Sequence, residues 1–399
     1  MSMILARMRS NLDVMPSPIP GRPGLFIRDN FRYSDARLII PPGLLPGLAC
    51  FDGNRSDADL LAELTRHNGA GQEGAVRHLC EALDKAGFLV NETYAALRET
   101  RHRVFAESPE REPAHTSSAY PAELGPLQKV MRRYLDAPLQ PQVRTKGIAA
   151  PHVSPEGGWQ SYRAAYQALT PEHADKTFVI LGTSHFGAPN MFGVTRKSFR
   201  TPFGLARTDV ALAEELAAQP AAVTEDYSHA IEHSIEFQVL FLQAVYGPDV
   251  KILPVLCGSF GQSIHQGGLP EDDDKVNRFM GALGDIAERE GDRVFWVLGV
   301  DMAHMGARYR DGFVARAGEG DMQGVNARDL RRIDRINAGD VRGYWDLTQE
   351  NRDDLKWCGS SPFYTFLRTV PQARGTLRRY EQWNIDDKSV VSFAGITFA

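Results

Sequence analysis

Apolar and polar positions follow two different rhythms along this chain. Up to residue 100, two stripes recur at helical spacing. Leu60, Leu61 and Leu64 follow a Ser56 or Asp57 cap and stop at Asn68-Gly69. Val76, Leu79, Cys80 and Leu83 form the second stripe, closed by Gly87. Short β-favouring runs at 25–28, 37–40 and 88–90 flank them, so residues 1–100 predict a small winged-helix-like α+β domain. Residues 101–120, with charges, prolines and small polar side chains, predict an interdomain linker. From 121 to 399 the period changes. A helix over 124–135 carries Leu127, Val130, Met131 and Tyr134 on one face. Short apolar runs at 146–150, 177–182, 251–256, 294–300 and 390–394 then alternate with helical stretches. Those stretches fall at 159–169, 209–218, 229–245, 275–289, 327–337 and 361–369. Such alternation predicts an α/β domain whose sheet is covered on both faces.

The strand ends carry the candidate chemistry. The run at 177–181 empties into Gly182-Thr183-Ser184-His185, the run at 147–150 into Pro151-His152, and the run at 294–300 into Asp301 and His304. In open α/β sheets ligands bind just beyond the carboxyl ends of strands. One histidine in such a place is ordinary core furniture; three strands ending in His, His and Asp/His predict one polar pocket.

Two readings compete over 229–245. His229, Glu232 and His233 fit H-x-x-E-H, the inverted zincin pattern, which also needs a carboxylate from a second helix, with Glu288 or Glu290 available. The alternative buries Ile235, Val239 and Leu242, turns His233 to the pocket and leaves His229 exposed. Glu236 lies one turn beyond Glu232 on a similar face, so that a carboxylate there would orient the histidine.

Composition narrows the classes. With 24% charged residues and a net charge of −5, the chain has no global attraction for nucleic acid or anionic membrane. In the small domain the second helix is nearly neutral, Arg77 and Lys85 being offset by Glu81 and Asp84, which disfavours DNA. No apolar run approaches the ~20 residues of a membrane span, and 1–20 has no apolar segment of a secretory signal. Cys50, Cys80, Cys257 and Cys358 lack CxxC spacing and predict no disulfide framework. A cytoplasmic protein is expected. Cys358 stands just before a helical stretch, where a helix N-terminus lowers a thiol pKa.

Two resemblances follow from these residues. LACFDGNRSDADLLAEL with HLCEALDKAGFLV resembles PqqD-like domains, which implies recognition of the leader region of a precursor peptide by strand addition. From Ala114 to Ala399 the chain resembles MEMO family proteins. The matching pieces are Pro151-His152, Gly182-Thr183-Ser184-His185, Arg200-Thr201-Pro202, Glu232-His233-Ser234-Ile235-Glu236, Asp301-Met302-Ala303-His304 and Cys358-Gly359.

The resemblance implies a three-layer α/β/α MEMO-like domain, similar in fold to extradiol ring-cleaving dioxygenases. It implies His152, His185 and His233 as metal ligands, with His304, Asp301 or Glu232 as general base. Fe(II) is the expected metal, with Cu or Zn as alternatives. The activity implied is oxidative tailoring of a peptide or aromatic substrate. A non-catalytic metal-binding scaffold and a zinc hydrolase are the alternatives. A radical SAM enzyme and an AMMECR-type protein, as in AmmeMemoRadiSam systems, are the implied partners. Val153-Ser154-Pro155 and Ala303, where better-known members carry a Cys, depart from the pattern. The Ala303 Cβ is expected to point towards the metal.

Overall fold

The computed structural model describes residues 2–136 and 145–399. It divides into two compact units, Met1–Glu107 and Ser108–Ala399. The first contains β1 (Leu12–Pro16), β2 (Leu25–Asp29) and β3 (Arg37–Ile40), followed by α1 (Asp57–Asn68), α2 (Glu73–Lys85) and α3 (Glu92–Glu107). The strands form an antiparallel sheet in the order β1-β2-β3. Leu60, Leu64, Leu79 and Leu83, the predicted stripes, meet Ile27, Ile40 and Phe88 in its core. At α1, Ser56 accepts from the Asp59 amide while the Asp59 carboxylate accepts from the Ser56 amide, a capping box. The predicted strand at 88–90 is only a single bridge between Leu89 and Met8.

The second unit opens with β4 (Glu110–Arg111), α4 (Leu124–Leu135), β5 (Gly147–Ala150), α5 (Pro155–Tyr166) and β6 (Thr177–Thr183). Short strands β7 (Phe192–Val194), β8 (Ser198–Thr201) and β9 (Gly204–Thr208) precede α6 (Val210–Ala217) and β10 (Ala222–Thr224). Next come α7 (Ser228–Ile231), α8 (Glu236–Tyr246), β11 (Lys251–Cys257), α9 (Gly261–Gln266) and α10 (Asp274–Glu290). The chain closes with β12 (Val294–Gly299), β13 (His304–Gly306), α11 (Asp321–Ala338), α12 (Val341–Gln349), α13 (Ser360–Thr369), β14 (Gly375–Asp386) and β15 (Ser389–Phe398).

One mixed sheet runs β13-β15-β5-β12-β6-β11-β9-β8-β4, with β14 paired to β15. Its centre, β5, β12, β6 and β11, is parallel and buried on both faces, which is why these strands read as continuous apolar runs. Side chains from one face pack with α4, α5 and α8 through Leu127, Tyr162, Tyr166 and Phe241. Those of the other face pack with α10, α12 and α13 through Phe279, Trp345 and Phe366. This is the expected α/β architecture with helices on both faces.

The structure departs from the sequence reading at two places that bear on the site. Residues 101–120 do not behave as a linker. Residues up to Glu107 complete α3, while β4 pairs with β8 and Arg111 and Tyr120 are buried. The charges there suggested a solvated segment, whereas Arg111 is neutralised inside the protein by Glu236. The predicted helix at 229–245 is broken over 232–235. There the Glu232 carboxylate accepts the amides of His233 (2.9 Å) and Ser234 (3.4 Å), a local alternative to the helical ladder. The long strand β14 was not predicted. Its alternation is blurred by partial exposure along its length.

Candidate metal centre

The parallel register fixes where the strand-end residues lie. Gly299 at the end of β12 stands opposite Ala150 of β5 and Gly182 of β6. Two or three residues further on, Asp301, His152 and His185 therefore reach the same edge of the sheet. The break at 232–235 is drawn onto that edge. The Ser234 hydroxyl donates to Thr183 O at 2.8 Å, and the Gln238 amide donates to Pro151 O at 2.7 Å. Two glycines allow so close an approach. A Cβ on Gly299 would lie 2.2 Å from Ser234 O, and one on Gly182 would lie 2.6 Å from the Ile235 side chain.

His152, His185 and His233 form a nearly equilateral group, with ring centroids 5.0, 5.1 and 5.1 Å apart. One ring nitrogen from each falls within 4.8 Å of the others. The remaining nitrogens are committed. His152 Nδ1 donates to Gly299 O at 2.9 Å. His185 Nδ1 lies 3.0 Å from the Glu232 carboxylate and His233 Nδ1 lies 3.1 Å from it. In the neutral ring this leaves Nε2 as the unprotonated atom, the form metal ligation requires. His152 is buried, while the His185 and His233 side chains retain 30% and 29% exposure, so the cluster opens to solvent on one side.

The rings differ in how readily they reach that neutral form. Burial, then the neighbouring His185 and His233 imidazoles, push His152 well below the ordinary histidine pKa. For His185 desolvation acts downward, but the Glu232 carboxylate overrides it and lifts the pKa well above the ordinary value. Burial would raise the pKa of Glu232. His185 and His233 outweigh that and hold the group ionised, well below the usual carboxylate range.

The other predicted residues adjoin the cluster. Asp301 is buried; its Oδ1 accepts from the His152 amide at 2.9 Å and its Oδ2 lies 3.5 Å from His152 Nε2. Burial raises its pKa. His304 Nδ1 donates to Met302 O at 2.9 Å, its ring packs edge-on against Tyr309, and burial pushes its pKa down to about 4. The Cys358 thiol reaches His152 Nε2 at 3.3 Å, so this sulfur belongs to the site. Burial raises its pKa, against the lowering expected from a helix N-terminus.

Two expectations are corrected and one is narrowed. His229 is buried, not exposed; its ring packs near Phe199 and lies outside the cluster, so the H-x-x-E-H spacing does not bring two histidines together. Of the two carboxylates expected near the histidine, Glu232 is the one that orients the cluster. Glu236 pairs with Arg111 and Tyr120 and accepts the amides of Ala114 (2.9 Å) and His115 (3.0 Å). Ala303 is fully buried in the apolar core and its main chain pairs with Ser392. Sequence reasoning also missed His115, whose ring lies edge-on 5.4 Å from His233. Its place in an apparent linker gave no signal.

A parallel-centred α/β unit with an imidazole cluster at its strand ends is the setting in which the comparisons fall. Residues 111–397 match the family described as Memo-like protein, and the chain belongs to that family. It is 26% identical over 372 residues to a MEMO1 family protein of Aquifex aeolicus, covering 90% of this chain and 92% of that one. A MEMO1 family protein of Thermococcus kodakarensis is 29% identical over 304 residues, covering 72% of this chain and 99% of its own length. One from Methanosarcina acetivorans is 26% identical over 292 residues, with 72% and 98% covered. The Aquifex match is long enough to take in much of the first unit, whereas the two archaeal proteins match over a length close to the second alone.

Proposed function

We propose that the second unit holds one metal ion on His152, His185 and His233, and that the chain is a metal-dependent, oxidative tailoring enzyme. The observation that carries this reading is the gathering of one ring nitrogen from each histidine within 4.8 Å, with all three Nδ1 atoms beside acceptors, so that in the neutral rings Nε2 is the atom left to donate to a metal. Three imidazoles suit Fe(II), Zn(II) or Cu(II), and Fe(II) is the form proposed. Bound there, iron would supply O2-dependent oxidation of a peptide side chain or an aromatic ring. The protein's own part is separate from that chemistry. Glu232 orients two imidazoles, and the exposed edges of His185 and His233 admit the substrate. His304, neutral at pH 7, and Asp301 are the candidates for taking a proton.

The first unit is proposed to resemble PqqD-like domains and to recognise the leader of a precursor peptide. β1 and β3 are the edges of its sheet, where a peptide strand would add. A radical SAM enzyme and an AMMECR-type protein are proposed partners by the resemblance to MEMO proteins. A second reading is favoured by Cys358: three imidazoles plus a nearby thiol would make a closed four-ligand set, suited to holding a metal and not to catalysis. The test is metal content by mass spectrometry after expression in iron-supplemented medium. His152→Ala, His185→Ala and His233→Ala should each lose most of the bound metal while staying folded. Full occupancy in the three variants would refute the ligand assignment. Oxygen consumption with a candidate peptide separates the catalytic from the closed-site reading.

A further inference from the structure

We infer that Arg111 is a positioning residue for the imidazole cluster, acting through the break between α7 and α8. The inference rests on the proposed metal-binding reading of that cluster. Arg111 is fully buried and carries three sets of bonds, all to one short stretch of chain. Its Nε donates to His229 O at 2.8 Å, its Nη2 donates to Glu232 O at 2.7 Å, and its Nη1 pairs with the Glu236 carboxylate. The end of a helix leaves carbonyls without intrahelical partners, and here the guanidinium supplies the donors. Its planar fork reaches two carbonyls and a carboxylate at once, which a lysine ammonium on its flexible stem cannot reproduce.

The geometry works from two sides. On the outer side Arg111 holds the Glu232 carbonyl. On the inner side the Glu232 carboxylate bridges His185 Nδ1 and His233 Nδ1. Fixing the main chain of Glu232 thus sets the direction of the one carboxylate that selects the tautomer of two cluster histidines. The segment carrying Arg111 is itself tied down. Arg111 pairs with Phe199 in the β4–β8 ladder, and its guanidinium lies 5.1 Å from the centre of the Phe199 ring. His115 Nε2 donates to Ile231 O at 2.8 Å, just before the break. Arg111 therefore acts on the imidazoles through Glu232.

The test compares Arg111→Lys with Arg200→Ala. Arg200 lies on the same ladder and directs its guanidinium to Glu110 and Glu112. In metal-free protein labelled with 15N-histidine, NMR reports the tautomers of His185 and His233; Co(II) affinity is measured by competition on the same samples. Recorded at alkaline pH, where both rings are neutral, wild type and Arg200→Ala should show Nδ1–H tautomers. Arg111→Lys should show mixed tautomers and bind Co(II) at least about tenfold more weakly, the lower end for loss of an orienting partner. If Arg111→Lys does not fold, Tyr120→Phe removes one hydrogen bond from Glu236 without stranding a buried charge, and should shift both readouts the same way by less. Wild-type tautomers and affinity in Arg111→Lys, or in Tyr120→Phe where that variant is needed, overturn the inference. If wild type binds no metal through the three histidines, the functional reading fails, and the tautomers alone still decide the role of Arg111.

Discussion

Glu232→Gln probes the organisation of the site with little change of shape. The carboxylate lies 2.9 Å from each of the amides of His185 and His233, and 3.0 and 3.1 Å from their Nδ1 atoms. With the Ser234 amide at 3.4 Å these make five partners, and all are donors. A glutamine amide has one accepting oxygen and one donating nitrogen. Whichever way it is turned, its NH2 must face donors of one histidine. At least one charge-assisted hydrogen bond is lost, worth about 1.5–3 kcal/mol. At ~1.4 kcal/mol per factor of ten, metal binding should weaken by roughly 10–100-fold, provided the loss falls on the bound form. Because the replacement is isosteric, a cavity contributes nothing to that figure. The assay is chelator competition, with circular dichroism to establish that the variant is folded. Wild-type affinity in folded Glu232→Gln would refute the bridging role.

The same residue carries a pH signature. Its folded-state pKa lies well below the ordinary carboxylate value, so the folded protein takes up this proton later than the unfolded chain. Its stabilising contribution is complete above the ordinary carboxylate range and is lost as pH falls towards the depressed folded value. Glu232→Gln should lack that part of the acid slope in metal-free melting curves.

Cys358→Ser should retain metal on the three imidazoles but lose preference for soft ions such as Cu(I), read from competition between Cu(I) and Fe(II) or Co(II). Loss of all metal would instead place the thiol in an obligatory ligand set. His229→Ala should keep the metal stoichiometry and lower stability, by about 0.5–3 kcal/mol for a buried side chain, measured by denaturant melts. Gly299→Ala should cost about 1–3 kcal/mol through overpacking and weaken metal binding, because its Cβ would meet Ser234 O at 2.2 Å. Unchanged metal affinity in Gly299→Ala would show that the break tolerates displacement from the sheet.

The parts of the site legible in the sequence are those set by parallel strands. Buried runs ending in Pro151-His152, Gly182-Thr183-Ser184-His185 and Asp301 need only be in register to share an edge, and they are. What could not be read was set by contacts between segments far apart in the chain. A continuous helix at 229–245 would have put Glu236 one turn from Glu232 on a shared face. The break sends Glu232 inward to the histidines and leaves Glu236 to Arg111. Arg111, His115 and Tyr120 looked like linker residues because their polar partners lie more than a hundred positions away.

Ala303 is the sharpest case, because its place after Asp301 at the end of the third strand suggested that its Cβ faces a metal. Alternation stops being a guide once β12 ends at Gly299. Beyond it the chain is held by side-chain bonds: the Ala303 amide donates to Ser392 Oγ at 2.8 Å, and Ser392 Oγ donates to the buried Asp329 carboxylate at 2.6 Å. Those bonds carry Ala303 into the apolar core. Sulfur enters the site from another direction, through Cys358 beside His152. Ala303→Cys should therefore behave as overpacking, lowering stability by about 1–3 kcal/mol without changing the order of Fe, Cu and Zn affinities. The paired measurement is metal competition and melting temperature on the same preparation. A changed metal order with an unchanged melting temperature would place residue 303 at the metal after all, and the core assignment would fall.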